Sequence, residues 1–91
     1  MAKSDFLSRT RLFLEVLNEE SLNQAAESLG KSTPQVSREI AKLEQELHVK
    51  LFTRLPTGIR VTREGAKFAE QILPLIERFD TLEDCLLYTS P

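Results

Sequence analysis

The sequence contains a single cysteine and a single histidine among its 91 residues. Cys85 alone excludes an internal disulfide and any cysteine-based metal cluster. No G-x-G-x-x-G, P-loop or H-E-x-x-H string occurs, so no nucleotide, cofactor or metal is implied. An enzyme would need a nucleophile and base that this chain does not supply. No apolar run approaches the roughly 18 to 20 residues of a membrane span. The start MAKSDFLSRT has no apolar segment of the signal-peptide kind, so a cytoplasmic address with no membrane partner is expected. An excess of positive charge is also missing, since 12 basic residues against 14 acidic ones leave a net charge of −2.

What is present is a chain 41% hydrophobic, enough for one small domain with one core. Its charge is unevenly distributed. From Lys31 to Arg63 the basic residues Lys31, Arg38, Lys42, Lys50, Arg54, Arg60 and Arg63 face only Glu39, Glu44 and Glu46, a local net of 7 − 3 = +4. The remainder carries 5 − 11 = −6. A basic middle in an acidic frame points to a polyanion footprint on one face, with ordinary solvated charge as the plainer alternative.

Helical periodicity comes first along the chain. Phe6, Leu7, Phe13, Leu14 and Leu17 predict a helix from about Asp5 to Glu19. Ser21 and Gln24, then Ser32 and Gln35, repeat the S-x-x-Q capping-box spacing, with Gly30 closing the short helix between them. That helix has Leu22, Ala25, Ala26 and Leu29 on one face, and its two alanines let another helix approach closely. Pro34 stands in the first turn of the next helix, where its missing N–H removes no helical bond. This helix is expected over Thr33 to Leu47, burying Val36, Ile40, Leu43 and Leu47 and leaving Pro34, Arg38, Ala41, Lys42 and Gln45 free. Two capped helices across the break G-K-S make a helix-turn-helix. Leu51, Phe52, Ile59 and Val61 around L-P-T-G then predict a two-stranded hairpin, a wing carrying Arg54 and Arg60. Thr62 is the expected cap of a long last helix. Along it Gly65, Phe68, Ile72, Leu75, Phe79, Leu82 and Leu86 recur at spacings of 3 and 4, a heptad seam interrupted by Pro74, which should bend the helix. A second copy of the helix is the simplest partner for such a seam.

The strings A-A-E-S-L, S-T-P-Q-V-S-R-E-I, L-F-T-R and T-R-E-G stand in this order. Together they resemble the N-terminal winged helix-turn-helix domain of LysR-type transcriptional regulators, over about Leu7 to Glu83. The resemblance implies a mainly α fold, with three helices and a two-stranded β wing over residues 1–62. It also implies a linker, or dimerisation, helix over 63–87. A homodimer paired through Phe68, Ile72, Leu75, Phe79 and Leu82 would bind a pseudo-palindromic double-stranded DNA operator. Ser32, Thr33, Pro34, Gln35, Ser37, Arg38 and Lys42 of the recognition helix, with Arg54 and Arg60 of the wing, are the expected contacts. Helix-start amides and the Ser37 hydroxyl suit phosphate, Arg38 suits phosphate or guanine, and Arg60 suits a narrow minor groove.

Thr33 stands where the family often has glutamine, and Gln35 where it often has a small residue. Gln35 has two readings, as an adenine reader or as the second half of the capping box. His48 replaces the usual glycine at the helix end, where protonation would favour the helix dipole. The tail C-L-L-Y-T-S-P resembles translated adapter sequence, so residues 88–91 are expected to be non-native or disordered. The chain is then a fragment, and a small-molecule effector is implied only with a further C-terminal domain. The rival class is a winged-helix module that binds protein, separable by charge placement and by the salt dependence of DNA binding.

Overall fold

A computed structural model describes residues 2–89 of the chain, with side chains over 6–82. The element order is α1 (Ala2–Glu19), α2 (Leu22–Leu29), α3 (Thr33–Leu47), β1 (Phe52–Leu55), β2 (Gly58–Val61) and α4 (Arg63–Thr89). It is a mainly helical winged helix-turn-helix followed by a long helix. α1 begins three residues earlier than the sequence predicts, α2 and α3 match the expected bounds, and α4 runs two residues past the expected end of the linker. The side chain of Cys85 and those of the tail lie outside the described ones.

The caps explain why the helix-turn-helix breaks where it does. Ser21 Oγ accepts the Gln24 N–H at 3.3 Å, and Ser32 Oγ accepts the Gln35 N–H at 3.2 Å. Each satisfies one amide that a helix start leaves without a partner. Gly30 ends α2 at φ 69°, with its N–H on the Glu27 carbonyl at 3.2 Å and the Lys31 N–H on that of Ala26 at 2.9 Å. This paired closure needs a left-handed residue, which glycine supplies at little strain. α1 and α3 also end on a left-handed residue, Glu20 and His48, with φ 57° and 60°. The place occupied by His48 is therefore a left-handed cap in which a Cβ is tolerated at some cost.

The core lies where α1, α2 and α3 meet, closed below by the wing and the start of α4. Leu12, Phe13, Val16, Ala25, Ala26, Val36, Ile40, Leu43, Leu51 and Ala69 are its buried members. Phe13 joins three elements, its ring centroid 5.4 Å from Phe52 on β1 and 5.5 Å from Phe68 on α4. The fully buried face of α1 differs from the one its spacing indicates. Leu12 and Val16 are sunk with Phe13, whereas Leu14 and Leu17 are half-buried. Apolar residues cover more than half the circumference of α1 at about 100° per residue, so periodicity alone does not say which side meets α2 and α3. Thr10, also fully buried, donates its hydroxyl to the Phe6 carbonyl at 2.8 Å. Leu47, expected in the stripe of α3, is only half-buried at its edge.

The hairpin pairs Phe52 with Val61, Thr53 with Arg60, Arg54 with Ile59 and Leu55 with Gly58. The two-residue loop Pro56–Thr57 uses proline's fixed φ, and Gly58 follows at φ 146°. Thr62 then joins wing to helix. Its N–H donates to the Leu51 carbonyl at 2.9 Å, its hydroxyl donates to the Lys50 carbonyl, and its Oγ1 accepts the Gly65 N–H at 2.9 Å.

Two members of the expected heptad seam serve the chain's own core instead. A Cβ on Gly65 would stand 2.4 Å from the Leu51 carbonyl oxygen, so glycine is what lets α4 lie against the segment that leads into β1. Phe68 packs against Phe13 with the rings tilted at 48° and is partly buried against the core. The reason is positional: the first turns of α4 are covered by the wing and α1, and only later turns leave them. α4 remains helical through Pro74, whose ring falls on the solvent side. Ala69 and Ile76 are buried, while Leu73, Leu75, Phe79 and Leu82 are exposed. Arg11 reaches from α1 to Asp80, with contacts of 2.6 and 3.3 Å.

Candidate nucleic-acid interface

The surface of α3 divides into strips. Its buried strip is Val36, Ile40 and Leu43. On one flank Glu39 and Glu46 turn to Arg9 of α1, at 3.9 and 2.6 Å, and Glu39 also meets Lys31 at 3.4 Å. The other flank carries Thr33, Ser37 and Glu44, each bonded to a neighbouring element. The Thr33 hydroxyl donates to Asn23 Oδ1 of α2 at 2.9 Å, Arg54 of the wing donates to Ser37 Oγ, and Glu44 accepts the N–H groups of Leu51 and Phe52. Between the flanks lie Gln35, Arg38 and Lys42, at i, i+3 and i+7. Their side chains have no hydrogen-bond or ion-pair partner among the described residues, and those of Arg38 and Lys42 are exposed.

This division resolves the local charge. The three acids that interrupt the basic stretch are all engaged away from the free row, on Arg9, on Lys31, or on Lys50 and the strand amides. Arg38, Lys42, Arg60 and Arg63 are exposed with no acidic partner among the described residues. A net charge of −2 therefore coexists with a cationic face. Free guanidinium and ammonium groups next to an uncommitted amide are what phosphate and base edges need.

Gln35 is decided in part by its backbone. Its N–H makes the serine half of the box, but its side chain makes no return bond among the described residues. The amide is thus available on the same face as Arg38. Thr33 is the opposite case, since its hydroxyl is spent on Asn23. Ser32 is exposed and occupied as an acceptor by the cap, and Pro34 is exposed beside it.

Strand alternation separates the two wing arginines. Arg54 shares the inward side with Phe52 and Ile59 but lies past the edge of the core, where it reaches Ser37. Arg60 pairs across the hairpin with Thr53 and points outward. The structure thus joins Arg54 to α3 and leaves Arg60 exposed on the other side of the wing. An open cleft lined by Ser21, Asn23, Thr33, Arg54, Pro56 and Thr57 runs between the starts of α2 and α3 and the wing tip.

Sequence reasoning overlooked Asn23, Arg9 and Glu44. The signal for the last two was the trio of acids in a basic segment, each of which needed a partner. Among the described residues no group of histidine, cysteine, aspartate and glutamate is placed to hold a metal ion, and no helix is long and apolar enough to cross a membrane.

Comparison with known proteins agrees with this geometry. Residues 7–66 match the family model described as bacterial regulatory helix-turn-helix protein, lysR family. The uncharacterised HTH-type transcriptional regulator YbhD of Escherichia coli K12 is 34% identical over 74 residues, covering 81% of this chain and 23% of that protein. The HTH-type transcriptional regulator BudR of Klebsiella aerogenes is 36% identical over 70 residues, covering 77% and 49%. The chain therefore spans from under a quarter to about half the length of these relatives. The crystal structure of the BenM DNA-binding domain in complex with benA site 1 DNA superposes with a TM-score of 0.84 at 29% identity, covering 93% of this chain and 98% of that one.

Proposed function

The chain belongs to the lysR family of bacterial regulatory helix-turn-helix proteins, DNA-binding transcription regulators, and from that premise we propose that it reads a pseudo-palindromic duplex as a homodimer. The observation that carries the reading is the free row Gln35, Arg38 and Lys42 on α3, from which every acid of that helix has been turned away. α3 enters the major groove along this row. Arg38 takes a guanine edge or a phosphate, Gln35 offers its amide to adenine, and Lys42 neutralises the backbone. One sugar–phosphate strand follows the cleft between helix starts and wing, meeting Ser32, Thr33, Pro34 and Ser37 beside the positive ends of the helix dipoles. Arg54 contacts phosphate from that cleft, and Arg60 enters the adjoining minor groove.

The dimer forms through the distal half of α4. Leu75, Phe79 and Leu82 make the strip, with half-buried Ile72 at its edge and Phe68 excluded because its own core holds it. Residues 1–62 are the reading head and α4 the linker. A small-molecule effector would belong to a segment outside these 91 residues, and a cytoplasmic address suits a DNA partner.

Selection of bound duplexes from a random pool tests the reading. The expected product is a pseudo-palindrome whose half-sites match two recognition helices. Arg38→Ala should weaken binding to it by about 1–3 kcal/mol and relax preference at one base position. Recovery of no preferred sequence, with affinity indifferent to salt, would assign this face to a protein partner instead.

A further inference from the structure

We propose that Glu44 is a positioning residue for DNA binding: it fixes the wing to the recognition helix so that Arg60 reaches the duplex that α3 has engaged. The proposal rests on the DNA reading above.

A carboxylate on a helix that meets a polyanion is unfavourable on charge alone. Glu44 is nevertheless turned inward, its side chain only 13% exposed. Its Oε2 accepts the Leu51 N–H at 2.7 Å and the Phe52 N–H at 3.2 Å, and Lys50 Nζ lies 4.0 Å from Oε1. The chain has just reversed through the left-handed His48, so this carboxylate bridges the turn and pins the first residues of β1 to α3. Leu51 is the fulcrum: its side chain is fully buried and its carbonyl takes the Thr62 N–H. Charge-assisted bonds of this kind are stronger than neutral ones.

Farther out the wing has a second tie to α3, between Arg54 and Ser37. Both of those groups face the proposed interface, where phosphate oxygens compete for them. Glu44, farther along the same flank, is sunk against the Leu51 and Phe52 amides and is only 13% exposed, so phosphate does not compete for it. It is therefore the tie that persists in the complex, and it sets where Arg60 stands.

The test uses the whole chain and a mixed-sequence duplex, titrated at several salt concentrations, with Glu44→Ala, Arg60→Ala and the double variant. Glu44→Ala deletes a negative charge, so electrostatics alone predicts tighter binding. The positioning role predicts weaker binding, by about tenfold, the size of one lost arginine contact, and a salt slope shallower by roughly one. Mere destabilisation would lower the folded fraction, visible in a thermal melt, without changing that slope. Arg60→Ala should cost several-fold less affinity in the Glu44→Ala background than in the parent.

Glu44→Gln, which keeps one acceptor oxygen, should restore most of the loss. If Glu44→Ala does not fold, Glu44→Gln carries the test. It should then bind slightly more weakly than the parent, and tighter binding would refute the role. Equal or tighter binding by Glu44→Ala, or the same cost of Arg60→Ala in both backgrounds, overturns the proposal while leaving the DNA reading intact. A parent that ignores the duplex overturns both, whereas a parent that binds the duplex but ignores Arg60→Ala overturns this proposal alone.

Discussion

The reading head and the distal half of α4 are built to different standards of completeness. In the head nearly every polar group flanking the recognition row is tied: Arg9 to Glu39 and Glu46, Thr33 to Asn23, Glu44 to the strand amides. Its apolar side chains converge on Phe13, which is wholly buried. Past Ala69 the pattern reverses. Leu73, Leu75, Phe79 and Leu82 stand exposed, and Ile76 with the Arg11–Asp80 pair keeps the helix beside its own domain. A head that satisfies itself, joined to a helix that does not, is the arrangement that the proposed association through α4 requires. Soluble monomers seldom carry a continuous apolar strip without a use for it.

The contrast is sharpened most by truncating one aromatic from each region. Phe13→Ala should cost about 3–5 kcal/mol of stability, because the cavity forms among Phe52, Phe68 and the helix faces. Phe79→Ala should change the stability of the folded head by no more than roughly 0.5 kcal/mol, as surface changes do. Chemical denaturation compares them directly, and a comparable loss at Phe79 under conditions where the chain is monomeric would erase the distinction.

Gly65 marks the boundary between the regions. Gly65→Ala forces a Cβ onto the Leu51 carbonyl, 2.4 Å away, and should cost about 1–3 kcal/mol as α4 is pushed off the wing. An unchanged melting temperature would mean that α4 has freedom to move there.

Much of the head was legible in the sequence because its signals are local. Ser21, Gly30, Ser32 and Pro34 each act within a few residues, so the bounds of α2 and α3 could be read directly. What could not be read crosses between elements. Leu12 and Val16 outrank Leu14 only because of where α2 and α3 pack, and Phe68 leaves the heptad seam only because Phe13 waits for it. Glu44 and Asn23 act on residues beyond a chain reversal, where helical spacing says nothing. The candidate site residues were chosen by type and order, but which of them are free and which are tied depends on those neighbours.

His48 tests a smaller difference, between two helix ends of the same head. Gly30 closes α2 with the residue that a left-handed cap favours, and His48 closes α3 without it. His48→Gly should therefore raise stability by roughly 0.5–1 kcal/mol, the relief of a left-handed Cβ less the added entropy of the unfolded chain. A lower melting temperature would show that the histidine side chain supports the fold in some other way.

The smallest effect concerns the tie between the regions. The hydrogen bond from Arg11 holds the Asp80 carboxyl below its ordinary pKa of 3.8, a direction reinforced by the arginine's charge. A depressed carboxylate pKa means that the pair stabilises fully above that ordinary value and is lost as pH falls through the lower, folded one. An NMR titration of the Asp80 carboxyl should give a midpoint below 3.8, and Arg11→Ala should return it upward. A midpoint at or above the ordinary value would dissolve this link between α1 and α4.

The central claim, that one region reads and the other associates, is tested most directly by sedimentation with and without DNA on the parent and on Leu75→Glu plus Phe79→Glu. These substitutions place like charges on the exposed strip and leave the core contacts of Phe68 and Gly65 in place. The account predicts a dimeric parent that prefers a palindrome over a half-site by about 10²- to 10⁴-fold, through effective concentration alone. The variant should be a folded monomer that binds one half-site as the parent does and has lost that preference. A variant that stays dimeric, or a parent that is monomeric at high concentration and binds palindrome and half-site alike, would contradict it.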